Sequence, residues 1–244
     1  MLNFRELLLE GPLKASDYAH LGSTKNYLNP NAVVGNDAML SNQLWPAEAF
    51  KVFANWNGKA IVVAQDWTNV EAKDAEIIDG KIKKAFPKYN LDYSEEENTG
   101  NFTNVQIRNI FEGIPILYIN SIWMCKIGQG LAAPMKADKE AQAINKKVLS
   151  DTFKKAKAKH VFMLGKSAQA NLNTLFGGGL NKLKFPDNKE HLGRTWHALP
   201  HPGNLGINSF MNKKFASDMH TKKPLDRMSK TEILKTYVQK QFAT

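Results

Sequence analysis

The sequence predicts an α/β fold of three layers, α/β/α, with helices on both faces of a central, mostly parallel four-stranded sheet. Three observations carry that prediction. Short apolar runs, several rich in β-branched residues, recur at residues 60–64, 114–119, 161–164 and 195–199. They are too short for helices and mostly continuous, as strands buried on both faces require. Segments with helical spacing of apolar residues separate them, and that alternation indicates a parallel sheet with helices on each side. Finally, no internal repeat and no linker interrupts the chain, so residues 1–244 are expected to form one domain.

In chain order, residues 1–57 mix short helical patterns with turn formers such as Gly22, Asn29-Pro30-Asn31 and Gly35-Asn36-Asp37. They are expected to form a helical and loop extension packed on the domain. Residues 46–56 fit a helix with Phe50, Val52, Phe53 and Trp56 on its apolar side. The first strand is Ala60 to Ala64. Residues 69–101 are polar and acidic without a clear period, and Glu95 to Gly100 reads as an exposed loop. Thr103 or Asn104 is a candidate cap for a helix ending near Phe111, with Val105, Ile107 and Ile110 apolar. The strand at 114–119 ends at Asn120. Residues 139–157 carry Ala141, Ile144, Val148, Leu149 and Phe153 at near-helical spacing. A strand at 161–164 closes on Gly165, and a helix from Ser167 to Phe176 is broken by Gly177-Gly178-Gly179. After the strand at 195–199, Ser229-Lys230-Thr231-Glu232 fits a capping box opening a helix over 229–242.

Composition narrows the function class. Hydrophobic residues make up 43% of the chain and aromatics 10%, enough for a packed core. The net charge of +10 favours a polyanionic partner or an anionic surface. The lone cysteine, Cys125, excludes an intrachain disulfide and a four-cysteine iron–sulfur cluster. Residues 1–14 hold Arg5, Glu6 and Glu10 and lack a signal-peptide core, and no apolar run approaches the roughly 20 residues that span a bilayer. No membrane partner and an intracellular location are therefore expected. His197 and His201 are four apart, but Pro200 and Pro202 bar a regular helix between them, so a zinc pair is not expected. Gly165-Lys166-Ser167 ends like a P-loop, yet His160 stands where its first glycine is needed. The chain also lacks Gly-x-Ser-x-Gly and a dinucleotide-binding glycine pattern, which disfavours an α/β hydrolase or a nucleotide-binding enzyme.

What remains is a set of polar residues where strands stop. Asp66 follows the first strand, Asn120 the second, and His201 the last, with prolines on both sides. In open α/β sheets, ligands bind at the carboxyl ends of strands. An Asp and a His delivered to one such edge suit a hydrolytic site. Each residue also has an ordinary structural use: Asp66 as a turn cap, Asn120 as a turn former, His201 as a structural imidazole, and Leu205 as a core residue. The lysines at 154–159 read as a solvated helix face.

These residues lie in motifs that resemble the uracil-DNA glycosylase superfamily, over about residues 58–218. Ala64-Gln65-Asp66-Trp67-Thr68-Asn69 resembles the family's Gly-Gln-Asp-Pro-Tyr-His. Ile116-Leu117-Tyr118-Ile119-Asn120-Ser121 resembles its apolar strand ending in Asn, and His201-Pro202-Gly203-Asn204-Leu205-Gly206 resembles its His-Pro-Ser-Pro-Leu-Ser. Val161 to Ala168 resembles the strand, glycine and helix start that precede the last motif. The motifs occur in the family's order, and the single cysteine indicates a cluster-free branch.

The resemblance implies a monofunctional enzyme that flips uracil or a related damaged base out of DNA and hydrolyses its N-glycosidic bond. Asp66 would stabilise the sugar cation and orient water, and His201 would stabilise the departing base. Asn120 would read the base, with Gln65, Trp67, Thr68 and Phe102 around it and Tyr93 as a second stacking candidate. Leu205 would fill the gap left in the helix, while Gly203, Asn204, Thr103 and Asn104 would touch DNA. Thr68 stands where the family has a thymine-excluding tyrosine, Trp67 replaces a proline and Gly203 a serine. The indole of Trp67 is the expected substitute wall. The implied partner is uracil-containing or damaged DNA, the implied cofactor none, metal included, and the implied state a monomer. The implied location is cytoplasmic, on a nucleoid, or nuclear. The alternative is a DNA-binding protein on the same fold with weak or lost catalysis, such as a replication accessory subunit.

Overall fold

A computed structural model describes residues 20–24, 26–28, 58–65, 75–78, 81–85, 102–126, 138–203 and 227–243. Asp66, Trp67, Thr68, Tyr93, Asn204 and Leu205 lie outside them, as do the expected helix at 46–56, the loop at 95–100 and most of the extension at 1–57. The side chains of Phe102, Thr103 and Asn104 do too.

The described strands are β1 (Tyr27–Leu28), β2 (Ala60–Ala64), β3 (Ala75–Ile78), β4 (Lys81–Ala85), β5 (Ile116–Asn120), β6 (Cys125–Lys126), β7 (His160–Leu164), β8 (Asp187–His191) and β9 (Arg194–Leu199). The helices are α1 (Phe102–Ile110), α2 (Lys139–Ala156), α3 (Gly165–Phe176) and α4 (Arg227–Lys240), with a 3-10 turn at Leu180–Lys182. The central sheet has five strands in the order β5-β2-β7-β9-β8. Its first four are mutually parallel and correspond to the four apolar runs, while β8 joins β9 antiparallel and adds a strand that the apolar pattern does not contain. Two small antiparallel pairs, β1–β6 and β3–β4, lie apart from it. The second of these falls inside the stretch at 69–101 that shows no period.

Successive residues of a strand face opposite sides, and the core divides accordingly. Ile61, Val63, Leu117, Ile119, Val161, Met163, Trp196 and Ala198 pack with Ala141, Ile144, Val148, Leu149 and Phe153 of α2 and Leu172 of α3. Ala60, Val62, Ile116, Phe162, Leu164 and Leu199 pack with Ile107 and Ile110 of α1 and Leu234 and Val238 of α4. The fold is thus α/β, with helices flanking both faces of a mostly parallel sheet.

Three helix starts correct the sequence reading, the first being α3, which begins at Gly165 rather than Ser167. Helix α1 begins at Phe102, so Thr103 and Asn104 fall within its first turn rather than at its cap. Helix α4 begins at Arg227, which places the expected capping box inside the helix. The Thr231 hydroxyl donates to Gln106 Oε1 of α1 and ties the two helices together. Among the described residues, no helix is long and apolar enough to cross a membrane.

Candidate functional site

Register aligns the strand ends. Ala64 pairs with Asn120, and Leu164 with Leu199, so Gln65, Asn120, Gly165 and His201 all lie at the carboxyl edge of the parallel strands. From β2 the chain crosses to β5 on one side, then returns to β7 on the other. The crevice expected at such a reversal lies between the ends of β2 and β7, where Gln65 and Gly165 stand.

Ser121 ties two of these ends together. Its N–H donates to Ala64 O at 2.8 Å and its hydroxyl to Gln65 O at 2.7 Å. Ile122 N–H also donates to Gln65 O, at 3.2 Å. These bonds carry the β2–β5 pairing past the formal strand ends and hold the peptide that leads into Asp66. Two helices brace Ser121 in turn. Asn171 Nδ2 of α3 donates to its hydroxyl oxygen at 2.9 Å. Asn145 of α2 donates to Ser121 O at 3.1 Å and accepts from Trp123 N–H at 2.7 Å.

Asn120 is 4% exposed, and among the described residues its Oδ1 meets no hydrogen-bond donor. Leaving an acceptor buried and unsatisfied costs about 1–3 kcal/mol, so such an atom calls for an explanation. It stands at the end of β5, on the carboxyl edge of the sheet, where a donor on a ligand would satisfy it.

His201 is half-buried between Pro200 and Pro202, both buried. Gly203 N–H donates to His201 Nδ1 at 3.0 Å. With Nδ1 an acceptor, the ring proton of the neutral imidazole sits on Nε2, which becomes a donor. Gly165 sets how closely His201 approaches β7. Its φ is +86°, and a Cβ there would lie 3.1 Å from His201 Cβ. Only glycine meets both demands without strain. By ordinary strand spacing, Asn120 and His201 are about 14 Å apart along the edge. Such a span leaves room for a flat heterocycle between a side chain from each side.

The structure therefore brings Gln65, Asn120, His201 and Gly203 to one edge. The sequence reading missed Ser121, Asn145 and Asn171. A signal existed for Asn145: it interrupts the apolar stripe of α2 at Ala141, Ile144, Val148 and Leu149, where a polar residue needs a buried partner.

His197 belongs elsewhere. It is 0% exposed, with its ring stacked on Phe162 at 4.4 Å between centroids. Its Nε2 lies 3.0 Å from His160 Nδ1, and its Nδ1 lies 3.1 Å from the Tyr237 hydroxyl of α4. Asn188 Nδ2 of β8 donates to that hydroxyl at 3.4 Å. Burial, and secondly the nearby His160, push His197 down to about 3. Among the described residues, no group of three or more His, Cys, Asp or Glu side chains is placed to hold a metal ion. Comparison of the chain with protein-family models and with curated proteins gave no match.

Proposed function

We propose that this protein is a DNA glycosylase of the uracil type, hydrolysing the bond between the base and its sugar. The observation that carries the reading is the buried, unsatisfied Oδ1 of Asn120 on the same sheet edge as the Nε2 donor of His201. Uracil presents a ring N–H flanked by carbonyls. The Asn120 carbonyl accepts from that N–H, and its amide can donate to the neighbouring carbonyl. Cytosine has an acceptor in place of the N–H, so the same amide rejects it. Thymine shares uracil's edge, so its exclusion falls to Trp67 and Thr68.

Base release breaks the C1′–N1 bond, and the electron pair leaves with the base. Charge then grows on a pyrimidine oxygen, where a donor acts mainly in the transition state. His201 Nε2 supplies that donor. Asp66 follows Gln65, whose carbonyl is fixed by Ser121 and Ile122, and its carboxylate stabilises the sugar cation and orients the water that adds to C1′. The excess of basic residues suits the polyanionic substrate.

The deciding experiment incubates purified protein with single- and double-stranded uracil oligonucleotides in EDTA and scores abasic sites. Turnover is expected, with Asp66→Asn reducing it by at least about 10²-fold. DNA binding without abasic sites from the unaltered protein would favour the non-catalytic DNA-binding reading on this fold.

A further inference from the structure

We propose that Lys182 and Lys184 form a phosphate-binding shoulder beside the site, gripping the DNA backbone next to the everted nucleotide. This rests on DNA being the substrate. Lys166 is the second residue of α3, directly after the Gly165 that packs on His201. Its ammonium donates to Leu183 O at 2.7 Å and lies 4.6 Å from the Phe185 ring centroid. Gln169 Nε2 donates to Leu183 O and Leu180 O at 3.3 and 3.4 Å. Segment 180–183 is thereby pinned against the first turns of α3, at the edge that carries His201. Lys182 and Lys184 flank the anchored Leu183, and both are exposed.

No carboxylate of its own offsets the charge of this segment. From Gly165 to Pro186 the chain has Lys166, Lys182 and Lys184 but no Asp or Glu. Two lysines elsewhere are neutralised by carboxylates: Lys147 lies 3.1 Å from Asp151, and Lys235 contacts Glu112. Among the described residues, neither Lys182 nor Lys184 has one. A base can leave the duplex only if the strand around it is held, and ammonium groups on an anchored turn hold phosphates while releasing counterions. The lysines at the opposite edge, Lys154 and Lys159, are also exposed and without a carboxylate partner among the described residues, but lie where α2 ends and β7 begins. They provide a control of identical charge change.

The test compares unaltered protein, Lys182→Ala/Lys184→Ala and Lys154→Ala/Lys159→Ala. Affinity for a uracil-containing duplex is titrated across salt concentration, and base release is measured on the same preparations. The log–log salt slope of the first pair is expected to shrink by about 1.8, or 0.9 for each lost phosphate contact, and that of the control pair to stay unchanged. Equal slopes in all three proteins, or equal loss in both variants, would overturn the proposal. If the slopes differ as expected but no protein releases base, the shoulder stands and the glycosylase reading falls. If the unaltered protein does not bind DNA, both fall.

Discussion

His197 and His201 stand four residues apart on one strand and the loop that follows it, yet their surroundings have little in common. His197 faces the helix layer formed by α1 and α4, and both its ring nitrogens lie within hydrogen-bond distance of protein atoms. His201 lies past the strand end, half-buried, with Nδ1 accepting from its own loop and the ring proton therefore on Nε2. One imidazole closes a network in the core and the other carries its proton on Nε2 at the sheet edge. The difference comes from the strand end falling between them: inside the sheet, neighbouring elements engage both nitrogens of His197, while His201 lies beyond it on the carboxyl edge.

The largest expected effect breaks this comparison outright. His201→Ala should slow base release by about 10²–10³-fold with little loss of stability, as removal of a transition-state donor does. His197→Gln should do the reverse, costing about 1–3 kcal/mol of stability through poorly satisfied His160 and Tyr237 while turnover per folded molecule holds. Parallel melting curves and single-turnover rates would show it. Comparable rate losses in both variants would erase the distinction.

Acidity sharpens the same contrast. In the folded protein His197 titrates at about 3, against 6.5 as an ordinary group. Between those values the unfolded chain binds a proton that the native state refuses, so stability rises with pH across the window. It is fully present above about pH 6.5 and is lost as pH falls toward 3, at up to about 1.4 kcal/mol per pH unit for one proton. His160, lowered chiefly by burial and then by Lys159, adds in the same direction, with Glu190 opposing. Denaturant titrations between about pH 5 and 7, above the ordinary carboxylate range, should show this slope, and His197→Gln should flatten it. A flat profile in the unaltered protein would mean that His197 accepts a proton while folded.

The smallest effect concerns Gly165. Gly165→Ala puts a side chain at φ +86° and within 3.1 Å of His201 Cβ. About 1–3 kcal/mol of strain is expected, together with slower base release from a displaced imidazole. The pH slope set by His197 should not change. An unaltered rate would show that His201 does not depend on this close contact.

Much of this architecture could be read from the chain. The run Ile61-Val62-Val63 needs a buried strand, and β2 is wholly buried between β5 and β7. Asn120 and His201 were legible as polar stops after apolar runs. The edge strand β8 was not, because Asp187-Asn188-Lys189-Glu190-His191 has neither alternation nor β-branched residues. Its pairing comes from β9, through a turn at Leu192 and Gly193 that both hold positive φ. The bracing of Ser121 escaped for a different reason. Asn145 and Asn171 reach it from helices distant in sequence; the apolar stripe of α2 marks Asn145 as needing a buried partner, but which partner it finds depends on packing.

The composition of β8 also bears on how copies of this protein behave toward one another. A sheet that stops in mid-solvent offers a row of unpaired amides and carbonyls to any stray strand, a common start for aggregation. Here Asp187, Asn188, Lys189 and Glu190 are all exposed on that outermost strand and carry charges of both signs. A second molecule approaching edge-on would have to strip water from those charges before gaining any backbone bond. The residues that conceal this strand from a hydrophobic pattern thus oppose end-to-end stacking in a crowded solution.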